Sequence, residues 1–259
     1  MRLFFPFLKV LKIKGEYIVK ISFTLGDEWI YFKFYSGAQN AERILLEVIT
    51  PSIDHLLIKD KIDQWFFIRY ADHDLHFRVR LHFKKPSYIG NIVRTIYKFV
   101  SKFVEEEIVR KVQTDTYQLK IERYGIHTMK LSEKIFFLDS MLFLNTLQLL
   151  MNPQGDTQRW HFSLKSIDCL LDCLNLNSEQ KLTLLEGMKE NFSKEFGSNH
   201  SLKNQLNNKF AREWKGLGRS LNPLTEKESI ITPLPVILRS HRESLTPLVN
   251  EIDRTHSIS

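Results

Sequence analysis

Two strand-like runs in the first half of the chain constrain the fold more than any other feature. Residues 64–70 read QWFFIRY and residues 76–83 read HFRVRLHF, and both runs are rich in aromatic and β-branched residues. The link between them, residues 71–74, is the short polar stretch ADHD. Because so short a link cannot carry a crossover, the pattern predicts an antiparallel pair of strands.

The second of these strands has two chemically different faces. Its odd positions are apolar: Phe77, Val79, Leu81 and Phe83. Its even positions are basic or titratable and include no acid: His76, Arg78, Arg80 and His82. Successive side chains of a strand point to opposite faces, so the odd positions are expected in the core. The even positions then meet solvent, an acidic partner or an anionic ligand.

The rest of the pattern predicts an α+β fold, with a small, mainly antiparallel sheet flanked by helices and a helical C-terminal half. Further strands are expected at 16–23, 28–35 and 116–124, and helices at 38–49, 87–112 and through most of the chain after residue 130. The first of these helices should stop before Pro51, and residues 53–62 are a candidate for a restart of the helix. Since no segment resembles an exposed linker, we expect a single domain over 1–259, with residues 1–14 as an N-terminal extension.

Several common enzyme chemistries find no support in the sequence. It contains no GxSxG nucleophile motif, no GxxxxGK[ST] phosphate loop and no glycine-rich turn between a strand and a helix. The nine histidines show no metal-binding spacing. The net charge of +7 suits anionic partners, but the basic residues are spread along the chain, which is weak evidence for nucleic acid. We expect no cofactor and no metal.

Two features bear on the compartment. Cys169 and Cys173 lie on one face of a predicted helix, which is typical of buried, reduced thiols and favours the cytoplasm. The apolar segment 135–151 is interrupted by polar residues such as Asp139 and Asn145. It is therefore predicted to be a buried helix rather than a membrane span.

Three arginines are candidates for binding an anion. Arg78 and Arg80 are about 6.6 Å apart along a strand, so their two guanidinium groups can bracket one carboxylate or phosphate. The alternative is a solvated face, or pairing with acids from elsewhere. Arg123 shares a predicted strand face with Leu119 and Ile121, where it needs a structural partner or a ligand.

Several segments, taken in order along the chain, resemble a known family. They are EWIYFKFYSGAQNAERILLEVI, WFFIRYADHDLHFRVRLHF, YQLKIERYG, SEKIFFLDS and RWHFSLKSIDCLLDCLNL. Their order is similar to that in the C-terminal, SpaB-type elimination domain of class I lanthipeptide dehydratases, which the stand-alone thiopeptide-type bacteriocin biosynthesis proteins share. The resemblance covers nearly the whole chain. Its most specific part is W-F-F-I-R-Y-x-D followed by H-x-R-x-R.

The resemblance implies lyase chemistry on a modified peptide. In this family a partner enzyme uses glutamyl-tRNA to glutamylate Ser or Thr of a precursor peptide. The elimination domain then removes glutamate and leaves dehydroalanine or dehydrobutyrine. The implied partners are the glutamylated precursor peptide and a stand-alone glutamylating dehydratase. No direct binding of tRNA is expected, and a homodimer is left open.

The resemblance also assigns roles to individual residues. Arg78 and Arg80 match the family's R-x-R pair, and Arg123 matches the arginine of its E-R-Y-G motif. They would bind the glutamyl carboxylates and stabilise an enolate-like transition state. His241, in VILRSHRESLTPL, is the candidate for proton transfer. The residues expected to bind substrate are His76, Arg69 and Tyr124.

Two other functions remain open at this point. Some stand-alone relatives are pyridine synthases, which join two dehydroamino acids and expel the leader peptide, but the R-x-R pair argues against that activity here. A catalytically silent module that binds the precursor peptide is the other alternative. Lys120, at a position where the family often has an acid, favours that reading.

Overall fold

The computed structural model describes residues 20–71, 74–150, 155–221 and 234–257. The chain forms two compact units, one made of residues 1–148 and 250–259 and the other of residues 149–249. The single domain over 1–259 stays a prediction. The N-terminal extension 1–14 and most of the predicted strand 16–23 lie outside the described residues.

The first unit is built on a four-stranded antiparallel sheet in the order β3-β4-β2-β5. Its strands are β2 (Trp29–Ser36), β3 (Gln64–Ala71), β4 (Leu75–His82) and β5 (Val109–Asp115). A separate two-stranded sheet pairs β1 (Ser22–Phe23) with β6 (Tyr117–Gln118). The predicted α+β class is confirmed, and so is the antiparallel pairing of the two strands that flank residues 71–74.

One face of the four-stranded sheet is the core of the first unit. Phe77, Val79 and Leu81 of β4 are fully buried there. The helices that surround the sheet are α1 (Ala41–Ile44), α2 (Thr50–Ile58), α3 (Ile89–Glu105), α4 (Ile121–Tyr124) and α5 (Met129–Leu149). Burying each large apolar side chain contributes roughly 1.5–3 kcal/mol, so this face carries most of the drive to fold.

The predicted helix stop before Pro51 is wrong, because the chain stays helical from Ala38 to Ile58. A wide π-type turn at Leu45–Ile49 joins α1 to α2. Pro51 lies directly after this π-type turn, where the irregular backbone accommodates its ring and its missing N–H. The carbonyl oxygen of Leu45 accepts from the backbone N–H of Thr50 and also from its hydroxyl over 2.8 Å, which reinforces the irregular turn.

The predicted helix 87–112 is too long at its C-terminal end. The helix ends at Glu105, and Glu107 takes a left-handed backbone conformation with φ of 56°. That conformation reverses the chain, because a helix cannot continue through it. The residues that follow form β5, which pairs with β2 along the edge of the sheet.

The second unit is helical. It contains α6 (Gly155–Cys173), α7 (Ser178–Phe196), α8 (His200–Leu221) and most of α9 (Leu234–Ser257). Asn177 caps α7, since its side chain accepts from the backbone N–H of Gln180. Cys169 and Cys173 are buried free thiols, which confirms that prediction. Across the described ranges, no helix has both the length and the apolar composition that a membrane span requires.

Candidate functional site

The candidate site lies on the face of the four-stranded sheet opposite the apolar core. Directly opposed residues of antiparallel strands share a face, so the register defines this surface. Arg80 lies opposite Tyr31 on β2 and Phe66 on β3, and His76 lies opposite Tyr35 and Tyr70. We use the term basic face for the set His76, Arg78, Arg80, Tyr31, Lys33, Tyr35, Phe66 and Tyr70.

One end of the basic face is covered by aromatic side chains. One buried cluster contains Trp29 and Tyr31 from β2, Phe66 from β3, Phe23 from β1 and Tyr117 from β6. This cluster explains why part of a face rich in cations is buried rather than exposed to water. The prediction that the even positions of β4 face away from the core is therefore correct, but the aromatic cover was not foreseen.

Arg80 lies inside this aromatic cover. Its guanidinium carbon is 4.5 Å from the ring centre of Tyr31, 5.2 Å from that of Phe66 and 4.8 Å from that of Tyr117. The residue is 9% exposed, and its Nε and Nη1 atoms have no hydrogen-bond partner among the described residues. Burial lowers the pKa of Arg80 from its usual value, but an arginine side chain stays charged in a protein. A buried charged group with open donors is costly unless an anion meets it.

Arg78 is held by two neighbours on the same face. Its guanidinium carbon is 3.5 Å from the ring centre of Tyr70, a close cation–π contact. Its Nε atom donates to Nε2 of His76 over 3.0 Å. Because Nε2 of His76 accepts, its proton is on Nδ1, which donates to the carbonyl oxygen of Asp74 over 2.8 Å. His76 is almost fully buried, so it fixes one nitrogen of Arg78 in place.

Lys33 lies between the arginine row and the edge strand. It is directly opposite Arg78 in the register of β2 and β4. Its Nζ atom is 2.5 Å from Oδ2 of Asp115, and hydrogen bonding to Lys33 is the main reason that the pKa of Asp115 is lowered. Asp115 also lies close enough to Arg78 for the two charges to attract each other.

A buried carboxyl group completes the aromatic end of the site. The hydroxyl of Tyr117 donates to Oε1 of Glu133 over 2.6 Å. Burial raises the pKa of Glu133, with the hydrogen bond from Tyr117 opposing that rise, and burial also raises the pKa of Tyr117. Sequence reasoning missed Glu133. The only signal was an acid in the predicted helix that follows the E-R-Y-G motif.

Two of the predicted site residues are not where the sequence placed them. Arg69 of β3 is opposite Phe77, so it lies on the other face of the sheet from the arginine pair, and it is exposed. Arg123 is not on a strand. It belongs to the short helix α4 and is exposed, because the strand ends at Gln118 and the chain turns into a helix. An exposed arginine needs no buried counter-ion, so the argument from an apolar strand face no longer applies.

The other predicted residues have mixed settings. Tyr124 is half-buried, and its ring centre is 5.2 Å from that of Phe136 on α5. His241 lies on α9, in the second unit, and is buried. Burial lowers the pKa of His241 to about 4, so its imidazole is neutral at pH 7 and is in the protonation state of a base. Its role in proton transfer stays a prediction.

Comparison with known proteins identifies the class. Residues 29–258 match the model of the family described as lantibiotic biosynthesis dehydratase C-term. The match covers most of the chain, so the protein belongs to this family, as its sequence segments predicted.

Similarity to individual proteins agrees with this assignment. The chain is 27% identical over 177 residues to the nisin biosynthesis protein NisB of Lactococcus lactis subsp. lactis, a match over 68% of this chain and 17% of NisB. The chain therefore spans about a sixth of the length of that relative.

Solved structures share the fold. The pyridine synthase TbtD from thiomuracin biosynthesis has a TM-score of 0.60 at 12% identity, over 86% of this chain and 80% of TbtD. The tRNA-dependent lantibiotic dehydratase MibB from Microbispora sp. 107891 has a TM-score of 0.53 at 21% identity, over 63% of this chain and 15% of MibB. At such identities the likeness concerns the fold alone.

Proposed function

We propose that this protein is a carbon–oxygen lyase that eliminates glutamate from glutamylated Ser or Thr residues of a precursor peptide. The products are free glutamate and a dehydroalanine or dehydrobutyrine residue in the peptide. Family membership supports a role in the biosynthesis of lantibiotic-type peptides. The finer assignment depends on the chemistry of the basic face.

The main support for the proposal is that Arg80 is buried while two of its N–H donors have no partner among the described residues. A buried guanidinium with open Nε and Nη1 donors, set beside a second guanidinium on the same strand face, favours a bound anion. An O-glutamyl ester offers one free carboxylate to the arginine pair, and its ester carboxyl becomes a second carboxylate as the group leaves, so Arg78 and Arg80 together suit both. The aromatic walls exclude water, which strengthens such charge–charge contacts.

The proposed reaction is a β-elimination. A general base removes the proton on Cα of the modified residue, and the electron pair forms the Cα–Cβ double bond. The bond between Cβ and the ester oxygen breaks, and glutamate leaves with the electron pair as a carboxylate. Arg80 and Arg78 would hold the glutamyl group and stabilise the charge that develops on the leaving carboxylate. The resemblance to the family implies His241 as the base, and this imidazole is neutral at pH 7.

The proposal includes the partners and the compartment that the chemistry requires. A separate glutamylating dehydratase would supply the ester, so this chain would need no contact with tRNA and no cofactor. The expected site of action is the cytoplasm, where glutamyl-tRNA is made.

The test uses a synthetic peptide that carries an O-glutamyl serine. Mass spectrometry follows the loss of glutamate from the peptide, and a coupled assay follows free glutamate. We expect equal amounts of both products, and a loss of rate of roughly 10²-fold or more in Arg80→Met or Arg78→Met. Arg94→Met is the control, because Arg94 is exposed on α3 and lies outside the basic face. A folded protein that releases no glutamate from this peptide would refute the proposal.

A second candidate function is supported by the extent of the structural match. The chain aligns with most of the length of a pyridine synthase, with a TM-score of 0.60. Under this alternative the substrate would carry two dehydroamino acids and no glutamate, so the arginine pair would have no glutamyl carboxylate to bind. Conversion of a bis-dehydroalanine peptide, with unchanged rates in Arg80→Met, would favour this function over elimination.

A further inference from the structure

The carboxylate of Glu133 lies one aromatic ring away from Arg80. The ring of Tyr117 connects them, because its hydroxyl donates to Glu133 over 2.6 Å and its centre is 4.8 Å from the guanidinium carbon of Arg80. All three side chains are buried. A negative and a positive group are thus buried together without touching.

This arrangement differs from a direct ion pair because it leaves N–H donors of Arg80 available to a ligand. A carboxylate that contacted Arg80 directly would take up its N–H donors. Here Nε and Nη1 of Arg80 have no hydrogen-bond partner among the described residues. Glu133 likewise forms no ion pair with a Lys, Arg or His among the described residues. Lys130 and His82 are nevertheless close enough to attract its carboxylate. Glu133 therefore balances charge at short range and leaves the donors of Arg80 open.

We infer that Glu133 is a positioning residue for Arg80. It fixes the Tyr117 ring against the guanidinium and supplies the counter-charge that lets the guanidinium stay buried. As a result, the N–H groups of Arg80 are available to a substrate carboxylate. This last consequence rests on the proposed function, whereas the counter-charge does not.

The counter-charge can be tested without any ligand by a thermal double-mutant cycle on the full chain. Glu133→Gln keeps an oxygen that accepts from Tyr117 but removes the charge. With Arg80 present, we expect it to lower the melting temperature by roughly 5–10 °C, because a buried guanidinium loses its counter-charge. In an Arg80→Met background, the same change should leave the melting temperature unchanged or raise it, since it removes an unpaired buried carboxylate. A fall of equal size in both backgrounds would overturn the inference and leave Glu133 as a hydrogen-bond acceptor only.

The thermal cycle needs a control variant and a second measurement. Glu105→Gln changes an exposed glutamate at the end of α3 and should not alter the melting temperature in either background.

If Arg80→Met does not fold, the kinetics of the Glu133→Gln variant on the O-glutamyl serine peptide test the inference instead. Glu133→Gln should raise KM by roughly three- to tenfold, because Arg80 loses the counter-charge that keeps it in place with its donors open. An unchanged or lower KM would overturn the inference. Absence of elimination by the unaltered protein would refute the proposed function alone, and the thermal cycle would still judge the counter-charge.

Discussion

His76 fixes the guanidinium of Arg78 from two positions away on the same strand face, with a distance of 3.0 Å between its Nε2 atom and Nε of Arg78. The backbone carbonyl of Asp74 holds the imidazole in the tautomer that accepts this hydrogen bond. The hydrogen bond from Arg78 to His76 therefore holds one guanidinium nitrogen in place.

Replacing His76 should misplace Arg78. His76→Leu removes the acceptor and should raise KM for a glutamylated peptide by roughly tenfold, whereas His76→Gln retains an acceptor oxygen and should have a smaller effect. Steady-state kinetics of glutamate release measure both values. His55→Gln, at an exposed position on α2, should have no effect. Equal kinetics for His76→Leu and the unaltered protein would show that this hydrogen bond does not position Arg78.

Replacing either arginine of the pair by lysine tests geometry separately from charge. Lysine keeps the positive charge but lacks the planar fork that binds a carboxylate through two parallel hydrogen bonds. We expect Arg80→Lys to reduce kcat/KM by roughly tenfold or more and to be partly active compared with Arg80→Met. The ammonium group also stacks less favourably among Tyr31, Phe66 and Tyr117. If Arg80→Lys were as active as the unaltered protein, charge alone would suffice.

The turn after α4 should tolerate only glycine. Gly125 has φ of +74°, and a Cβ atom there would come within 2.8 Å of Oγ1 of Thr128. Gly125→Ala should therefore reduce the free energy of unfolding by roughly 1–3 kcal/mol, measured by urea denaturation. Gly187→Ala is the matched control, because Gly187 lies within α7 with open space around its Cα, and it should be neutral or stabilising. A neutral Gly125→Ala would contradict the described turn.

Burial of His241 should make stability fall in mild acid. Its pKa is lowered from the ordinary value of 6.5 to about 4, so the unfolded chain takes up a proton that the folded protein does not. The contribution is fully present above pH 6.5 and is lost as the pH falls towards 4. Between about pH 7.5 and about pH 5 the loss amounts to about 2 kcal/mol. His241→Leu should remove this part of the pH dependence, as read from urea denaturation at both pH values. An equally steep dependence in His241→Leu would mean that another group is responsible.

Parts of the fold could be predicted because the signal was local. The alternation of β4 specifies both faces, and the short link after β3 requires an antiparallel neighbour, so the pair 64–83 was correct to within a residue at each end. The strand β5 was missed because residues 108–112, IVRKV, continue the apolar spacing of α3 and suit either structure. Two features make these residues a strand and not a helix: the left-handed backbone conformation of Glu107 and the pairing with β2. The pairing is a tertiary effect that the local sequence does not show.

The site was only half predictable for a similar reason. Arg78 and Arg80 are neighbours on one strand, so their common face follows from the two-residue period. Glu133 matters because α5 places it against Tyr117, a residue 16 positions away in sequence, and no local pattern signals that contact. Arg123 was misplaced because residues 119–124 have the composition of a strand, but residues 121–124 form a helical turn.

If the open donors of Arg80 bind a carboxylate of glutamate, calorimetric titration of the full chain with L-glutamate, the expected product, should detect that binding. We predict measurable binding that weakens by tenfold or more in Arg80→Met and is unchanged in Arg94→Met. Equal affinity of the unaltered protein and Arg80→Met for L-glutamate would contradict the account.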